Sequence, residues 1–241
     1  MNPDFLRDPL FSIAITIGSY TAAQLIHRRF PQVHAFIWTT AILLLIFLPL
    51  PFPGGLAAKL EAYKKGGDMI AFLLGPATVA LAVPLYKNAH AIRSHTWPIL
   101  VAVAVGGLTA MLTGAGLVCV FHGGGELLRA ILPKSVTTPI AVSLVTPFGK
   151  TYDVGHLQSL AAALVVVTGL LGAVVGPRFL RLIGIYEDVA VGLAMGTAAH
   201  GIGTATVLKH SELQGTTAGL AMALNGVFTS ILMIPLYFWL P

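Results

Sequence analysis

The sequence predicts an all-α integral membrane protein, a polytopic bundle of about eight transmembrane segments. Hydrophobic residues make up 56% of the 241 residues, and the mean hydropathy is +0.85. Only 10% of the residues are charged, against roughly a quarter in a typical soluble domain. So few charges argue against a soluble enzyme, and the scattered net charge of +5 forms no basic stripe for nucleic acid. We expect one membrane domain over residues 1–241.

Eight stretches are free, or nearly free, of charged residues and supply the expected spans: 9–27, 30–58, 69–86, 94–128, 135–149, 154–177, 189–208 and 213–241. The fourth contains Glu126, and the fifth is short unless residues 126–132 belong to it. The first is expected to remain as a span, because residues 1–8 lack the positive excess of a cleaved signal. With eight straight crossings the lysines and arginines divide evenly between the two faces, so they do not assign the orientation.

Two proline-centred blocks predict an internal repeat. Residues 76–87 align with residues 139–150, with both prolines and the closing lysine in register. We interpret the blocks as repeat units centred near 68–120 and 126–184. Because the sequence does not fix the number of crossings in each unit, an inverted and a parallel repeat both stay open.

Each block is predicted to break a membrane helix, since proline supplies no backbone N–H and clashes with the preceding turn. Gly75 before Pro76, and Thr137 and Thr138 before Pro139, suit the start of a new helix. Such a half-helix directs free N–H groups and the positive end of its dipole to mid-depth. Broken helices in matching halves mark transporter binding sites, whereas the structural alternative is a pair of packing kinks.

His200 lies well inside the seventh stretch. Its helical neighbours are small or carry hydroxyls: Gly196, Thr197, Gly203 and Thr204. An ionisable group at membrane depth is a functional candidate, and histidine relays protons near neutral pH. We therefore predict His200 as a proton-coupling residue; the alternative is a neutral histidine that donates one hydrogen bond to a carbonyl.

Asn225, inside the last stretch, suits either a contact to substrate or a hydrogen-bonded cross-link between helices, with the cross-link slightly favoured. Lys134 suits a substrate carboxylate or an interfacial position. The chain carries no catalytic motif, no metal-site spacing and a single cysteine, so we expect no enzyme activity, cofactor or metal. The predicted substrate-binding residues are Gly75, Pro76, Thr78, Ser135, Thr137, Thr138, Pro139, His200, Gly201, Thr204 and Asn225.

Four segments resemble signatures of the CidB/LrgB family. They are FLLGPATVALAVPLY at 72–86, PKSVTTPIA at 133–141, AMGTAAHGIGT at 194–204 and GLAMALNG at 219–226. The resemblance implies a multi-pass protein of the bacterial inner membrane that works with a smaller LrgA/CidA-type membrane partner. Bacterial members of the family are described as antiholin-like modulators of murein hydrolase activity and autolysis. A similar plant protein is a plastid glycolate/glycerate translocator, and some bacterial members are tied to pyruvate flux.

Two functions follow from these expectations. The first is a secondary transporter of small monocarboxylates, of the glycolate, glycerate, lactate and pyruvate class, with proton coupling and a link to autolysis. The second is an antiholin-like regulator of murein hydrolase activity, or a pore component without specific transport. In both cases we expect contact with lipid and assembly into a homo-oligomer.

Overall fold

The computed structural model describes residues 7–30, 33, 35–52, 54–73, 76, 79–80, 82–87, 89–93 and 96–240. All regular structure in this described part is helical, which confirms the predicted all-α class. The chain forms two compact units, residues 1–82 and residues 83–241, which are taken separately below.

The first unit contains three helices: α1 (Pro9–Arg29), α2 (Ala35–Phe47) and α3 (Gly55–Phe72). The Asp8 carboxylate accepts the Leu10 N–H and caps the start of α1. A hydrogen bond of 2.7 Å between Thr16 Oγ1 and Tyr63 OH joins α1 to α3.

Lys59 of α3 is a buried cation in the first unit. Its ammonium donates to the carbonyl oxygens of Leu48 at 3.0 Å and Leu50 at 2.7 Å, just beyond α2. It also lies 4.8 Å from the centre of the Phe47 ring. A positive charge at this end of α2 complements the negative end of the helix dipole.

The short helices α4 (Ala82–Lys87) and α5 (Ala89–Arg93) lead into the rest of the chain. The second unit then continues with α6 (Thr96–Val120), α7 (Gly125–Ile131), α8 (Thr138–Val145), α9 (Val154–Leu182), α10 (Asp188–Leu208) and α11 (Glu212–Trp239). A 3₁₀ turn at Thr146–Lys150 follows α8.

Five helices are long and apolar enough to cross a membrane, namely α1, α6, α9, α10 and α11. The protein is therefore a multi-pass membrane protein, but the structure does not confirm eight spans. The expected span over 30–58 is interrupted, because α2 ends at Phe47 just before Pro49 and Pro51. The expected span over 135–149 holds only α8 and the 3₁₀ turn.

Helix α10 folds back on itself at His200, where the backbone takes φ 41° and ψ −133°. Its two ends lie together, because the Asp188 carboxylate accepts hydrogen bonds of 2.7 Å from both Ser211 Oγ and Gln214 Nε2. We call residues 188–210 the second hairpin, because another hairpin, described next, precedes it in sequence. The prediction of a straight span over 189–208 is therefore wrong. The helix turns back at His200, so its first and last residues lie at the same end of the long helices around it.

The segment from α7 to the 3₁₀ turn also returns to its starting point. Glu126 Oε1 lies 2.7 Å from His156 Nδ1, and Arg129 Nη1 donates to the Tyr152 hydroxyl at 3.1 Å. These contacts join the start of α7 to the start of α9, with the whole of α8 between them in sequence. We call residues 125–152 the first hairpin.

Three long helices, α6, α9 and α11, enclose the two hairpins, and glycines permit their close approach. Along α9, Gly169 lies against the His200 imidazole, and Gly172 lies against Ala199 of the second hairpin. A Cβ at Gly169 would come within 2.7 Å of the imidazole, closer than packed atoms allow. The first arm of the second hairpin therefore runs antiparallel to α9 at backbone contact distance.

Candidate functional site

The turns of the two hairpins meet at one side chain, Asn225 of α11. Asn225 is fully buried, and its Nδ2 donates to the carbonyl oxygens of Ser135 and Thr197, each at 3.1 Å. Ser135 lies in the linker between α7 and α8, whereas Thr197 precedes the turn of α10. We call residues 132–137 the first tip and residues 197–201 the second tip. Asn225 thus ties one tip to the other.

The other polar atom of the Asn225 side chain, Oδ1, faces α6. It lies against Gly107, where any added Cβ would overlap it. Oδ1 accepts no hydrogen bond from the described residues. The Asn225 amide therefore packs against Gly107, and no sequence motif predicts this contact.

The tips lie at the middle of the long helices. Asn225 is near the midpoint of α11, Gly107 is near that of α6, and Gly169 is near that of α9. The same three residues contact the tips or the side chain that joins them. The two helix interruptions therefore lie at the depth where a membrane protein places a central binding site.

The first tip confirms the predicted break before Pro139. Thr137 is the N-cap of α8 with extended backbone, φ −69° and ψ 151°, and Pro139 occupies the first turn. Ser135 is buried, Thr137 and Thr138 are partly exposed, and Pro139 is exposed. The Thr137 side chain makes no capping hydrogen bond, so its hydroxyl is not used to close the helix end.

Lys134 brings a cation to the first tip. Its ammonium donates to Ser135 Oγ at 3.2 Å, and its side chain packs against Gly114 of α6. The lysine is partly buried and lies beside the start of α8. This position differs from that of an interfacial lysine whose charge reaches water.

The second tip is held by the His200 imidazole, which is 5% exposed. Its Nε2 lies 3.0 Å from the Val165 carbonyl oxygen of α9. Because a carbonyl oxygen only accepts, Nε2 must carry the proton in this contact. Thr204 Oγ1 donates to the His200 carbonyl oxygen at 2.9 Å, and Gly201 is partly exposed. The geometry matches the structural alternative for His200, a histidine that donates one hydrogen bond to a carbonyl.

Among the predicted residues, the structure joins Ser135 to Asn225 by a hydrogen bond, and Asn225 also binds the carbonyl of Thr197, three residues before His200. Gly75 and Thr78 lie outside the described residues, and Pro76 is exposed in the first unit. The predicted repeat of proline blocks is not confirmed. Sequence reasoning missed the backbone turn at His200, although the adjacent Gly201 was a signal for it.

No group of three or more histidine, cysteine or acidic side chains that suits a metal ion occurs within the described ranges. The site consists of backbone carbonyls, hydroxyls, one amide, one imidazole and one ammonium group. These groups suit a small polar solute.

Comparison with known proteins identifies the family of this chain. A family model described as LrgB-like family matches residues 16–239. Two uncharacterized Bacillus subtilis (strain 168) proteins are similar over most of their length: YxaC is 35% identical, covering 95% of this chain and 94% of its own, and YwbG is 33% identical, covering 91% and 93%. The antiholin-like protein LrgB of Bacillus cereus (strain B4264) is 27% identical, with 95% of each chain covered. No solved structure matches. This chain belongs to the LrgB-like family.

Proposed function

We propose that this protein is a secondary transporter of small monocarboxylates, the class of glycolate, glycerate, lactate and pyruvate, in the bacterial inner membrane. The observation that carries the proposal is the meeting of two hairpin tips at the middle of three long helices, where Asn225 binds both. Interrupted helices at this depth are found in transporters that bind solutes between structural repeats.

The first tip supplies groups that suit a carboxylate. The N-terminus of α8 presents backbone N–H groups and the positive end of the helix dipole. The Lys134 ammonium lies beside it, and the Thr137 and Thr138 hydroxyls are partly exposed. An acid bound here places its carboxylate near the helix end and its hydroxyl or keto oxygen near a threonine.

The arrangement of the hairpins supports alternating access. Helices α6, α9 and α11 run in alternating directions, because the first hairpin links the end of α6 to the start of α9 and the second links the end of α9 to the start of α11. The two hairpins therefore open toward opposite faces of the bundle. A crossing helix followed by a hairpin occurs over 96–152 and again over 154–208, with inverted direction. Each hairpin then serves as the gate of one face.

His200 is the proposed coupling residue. Its Nε2 is occupied by the Val165 carbonyl, so protonation during transport would take place at Nδ1. The strained backbone at His200 makes the second tip sensitive to changes in this side chain.

The name of the Bacillus cereus relatives favours a second candidate function. They are called antiholin-like, and an antiholin-like role for this chain would involve a smaller membrane partner and assembly of several copies. The two functions are compatible, since a change in acid flux across the membrane also affects the cell envelope.

Uptake into proteoliposomes tests the transporter proposal. We expect saturable uptake of labelled lactate, competed by unlabelled pyruvate or glycolate, with no leakage of a dye of similar charge. Size-limited leakage of both solutes without competition would instead identify a pore.

The coupling role is tested in the same vesicles with His200→Asn, which keeps a polar side chain but has no group that titrates near neutral pH. We expect this variant to retain uptake and to lose the response to an imposed pH gradient. A His200→Asn protein whose pH response equals that of the wild type would remove the coupling role and leave the transport proposal standing.

A further inference from the structure

A polar cavity lies away from the tips, at the open end of the second hairpin. It has a volume of roughly 200 Å³ and lies among the end of α9, the base of the second hairpin and the start of α11. Its polar lining comes from Arg181, Tyr186, His210 and Gln214. Neither Asn225 nor the two tips contribute to this lining, so the cavity is a separate feature.

Arg181 supplies an uncommitted positive charge to this cavity. Its backbone carbonyl accepts the Tyr186 hydroxyl at 3.0 Å, but its guanidinium forms no hydrogen bond or ion pair with the part of the chain that is described. Arginine presents several N–H donors in a planar fork that matches a carboxylate.

The acidic side chains at this end already have partners. Both Asp188 oxygens accept hydrogen bonds from Ser211 and Gln214. The Glu187 oxygens accept the backbone N–H groups at the start of α10. Glu212 lies 3.9 Å from the Lys87 ammonium. The oxygens of Asp188 and Glu187 are therefore occupied by neutral donors and do not pair with the Arg181 guanidinium.

The rest of the lining is apolar and includes Ile185, Val191 and Val207. Since a water molecule occupies about 30 Å³ in the liquid, the cavity has room for an acid of about six non-hydrogen atoms. A short carbon skeleton packs against these side chains while its charged end faces the arginine. The combination suits a small monocarboxylate better than a fully hydrated inorganic anion.

We propose that this cavity, which we call the Arg181 site, binds a small monocarboxylate at one face of the membrane before or after its passage through the tips. The carboxylate pairs with the Arg181 guanidinium, His210 borders it, and the carbon skeleton contacts the apolar wall. This inference deepens the proposed function and rests on it for the class of ligand.

The test is a chemical footprint of His210, because this imidazole lines the cavity and is exposed. Protein in nanodiscs of phosphatidylcholine is treated with diethyl pyrocarbonate, with and without lactate, and modification of each histidine is followed by mass spectrometry. At lactate ten times above its dissociation constant, about 90% occupancy slows His210 modification about tenfold. Modification of His122, which is exposed outside the cavity, stays unchanged.

Three variants locate the charge. In Arg181→Gln, the lactate concentration that gives the same protection of His210 is expected to rise at least about tenfold. In Arg181→Lys, part of the protection is expected to remain. Arg178→Gln is the matched control, since Arg178 is exposed one turn earlier on α9 and does not line the cavity. Protection that persists in both Arg181 variants would overturn the proposal, as would equal loss in the Arg178 control.

The length of the acid tests the apolar wall. From acetate to propionate to butyrate, affinity is expected to rise about fourfold for each added methylene group. Affinity independent of chain length would contradict contact with the apolar wall.

A lipid headgroup is the other source of an anion with an apolar body. Protection of His210 by phosphatidylglycerol bilayers without lactate, with no further effect of lactate, would assign the site to lipid and overturn the assignment to a small acid. The footprint needs no gradient, so it separates the two proposals. Arg181-dependent protection without uptake rejects the transporter alone, whereas uptake without protection rejects the Arg181 site alone.

Discussion

The packing of Asn225 against Gly107 predicts a specific non-additive effect of two substitutions. In Gly107→Ala the new Cβ overlaps Oδ1 of Asn225, so the amide must move. Its Nδ2 is then pulled away from the two carbonyl oxygens that it binds at 3.1 Å. In Asn225→Ala those hydrogen bonds are already absent, and the added Cβ at position 107 meets no amide.

The magnitude follows from the bonds involved. Hydrogen bonds between membrane helices contribute about 0.6 kcal/mol on average and up to about 1.7 kcal/mol, so losing two costs about 1–3 kcal/mol. Replacing a helical glycine by alanine stabilises the helix by up to about 1 kcal/mol, because alanine has the higher helix propensity. We expect each single variant to be destabilised, and the double variant to be more stable than the sum of the two effects by about 1–3 kcal/mol.

The assay is reversible unfolding in detergent, with the free energy of unfolding measured for the wild type, both single variants and the double variant. Gly116→Ala is the control, because nothing lies near its added Cβ and its effect should add to that of Asn225→Ala. Additivity of the Gly107 and Asn225 effects within about 0.5 kcal/mol, the range seen for independent sites, would refute the proposed contact between α6 and the amide.

Two further predictions concern the second hairpin. Asp188→Ala removes the acceptor for both hydrogen bonds at the base of this hairpin. We expect faster amide hydrogen exchange over 201–208, measured by mass spectrometry. Unchanged exchange would mean that these hydrogen bonds do not hold the hairpin closed. Gly172→Ala should cost about 1–3 kcal/mol, measured by unfolding in detergent, because its Cβ meets Ala199, which has no rotamer to change. Gly176→Ala should cost less than 1 kcal/mol, since it meets the flexible Met195 side chain; equal costs for the two would count against close packing of this arm on α9.

The parts of the site that the sequence predicts are those in which the chemistry of a single residue determines the local structure. The break at Thr137 and Pro139 followed from the missing N–H and fixed φ of proline, and the structure starts α8 there. Asn225 was predictable as a cross-link because a buried amide needs partners at membrane depth. Its two partners, the carbonyls of Ser135 and Thr197, were not, since 90 and 28 residues separate them from Asn225 in sequence.

The fold was harder to predict because hydropathy reports burial in an apolar medium and not the direction of the chain. Residues 189–208 are as apolar as a crossing helix, yet His200 reverses them with a positive φ that few residues other than glycine adopt. The polar contacts of Asp188 beyond the hairpin, which the sequence does not show, reveal the reversal. The eight expected spans are not confirmed for the same reason, and also because Pro49 and Pro51 follow the end of α2 at Phe47.

The most direct test of the hairpin arrangement is the membrane side of four positions, each changed to cysteine in a Cys119→Ser background. Gly124 and Thr151 lie at the two ends of the first hairpin, and Tyr186 and Lys209 lie at the two ends of the second. A membrane-impermeant maleimide is applied to right-side-out and to inverted vesicles. We predict that Gly124→Cys and Thr151→Cys react from one face only, and that Tyr186→Cys and Lys209→Cys react from the opposite face only. Reaction of Tyr186→Cys and Lys209→Cys from different faces would mean that α10 crosses the membrane, and would contradict the meeting of two hairpin tips at mid-depth.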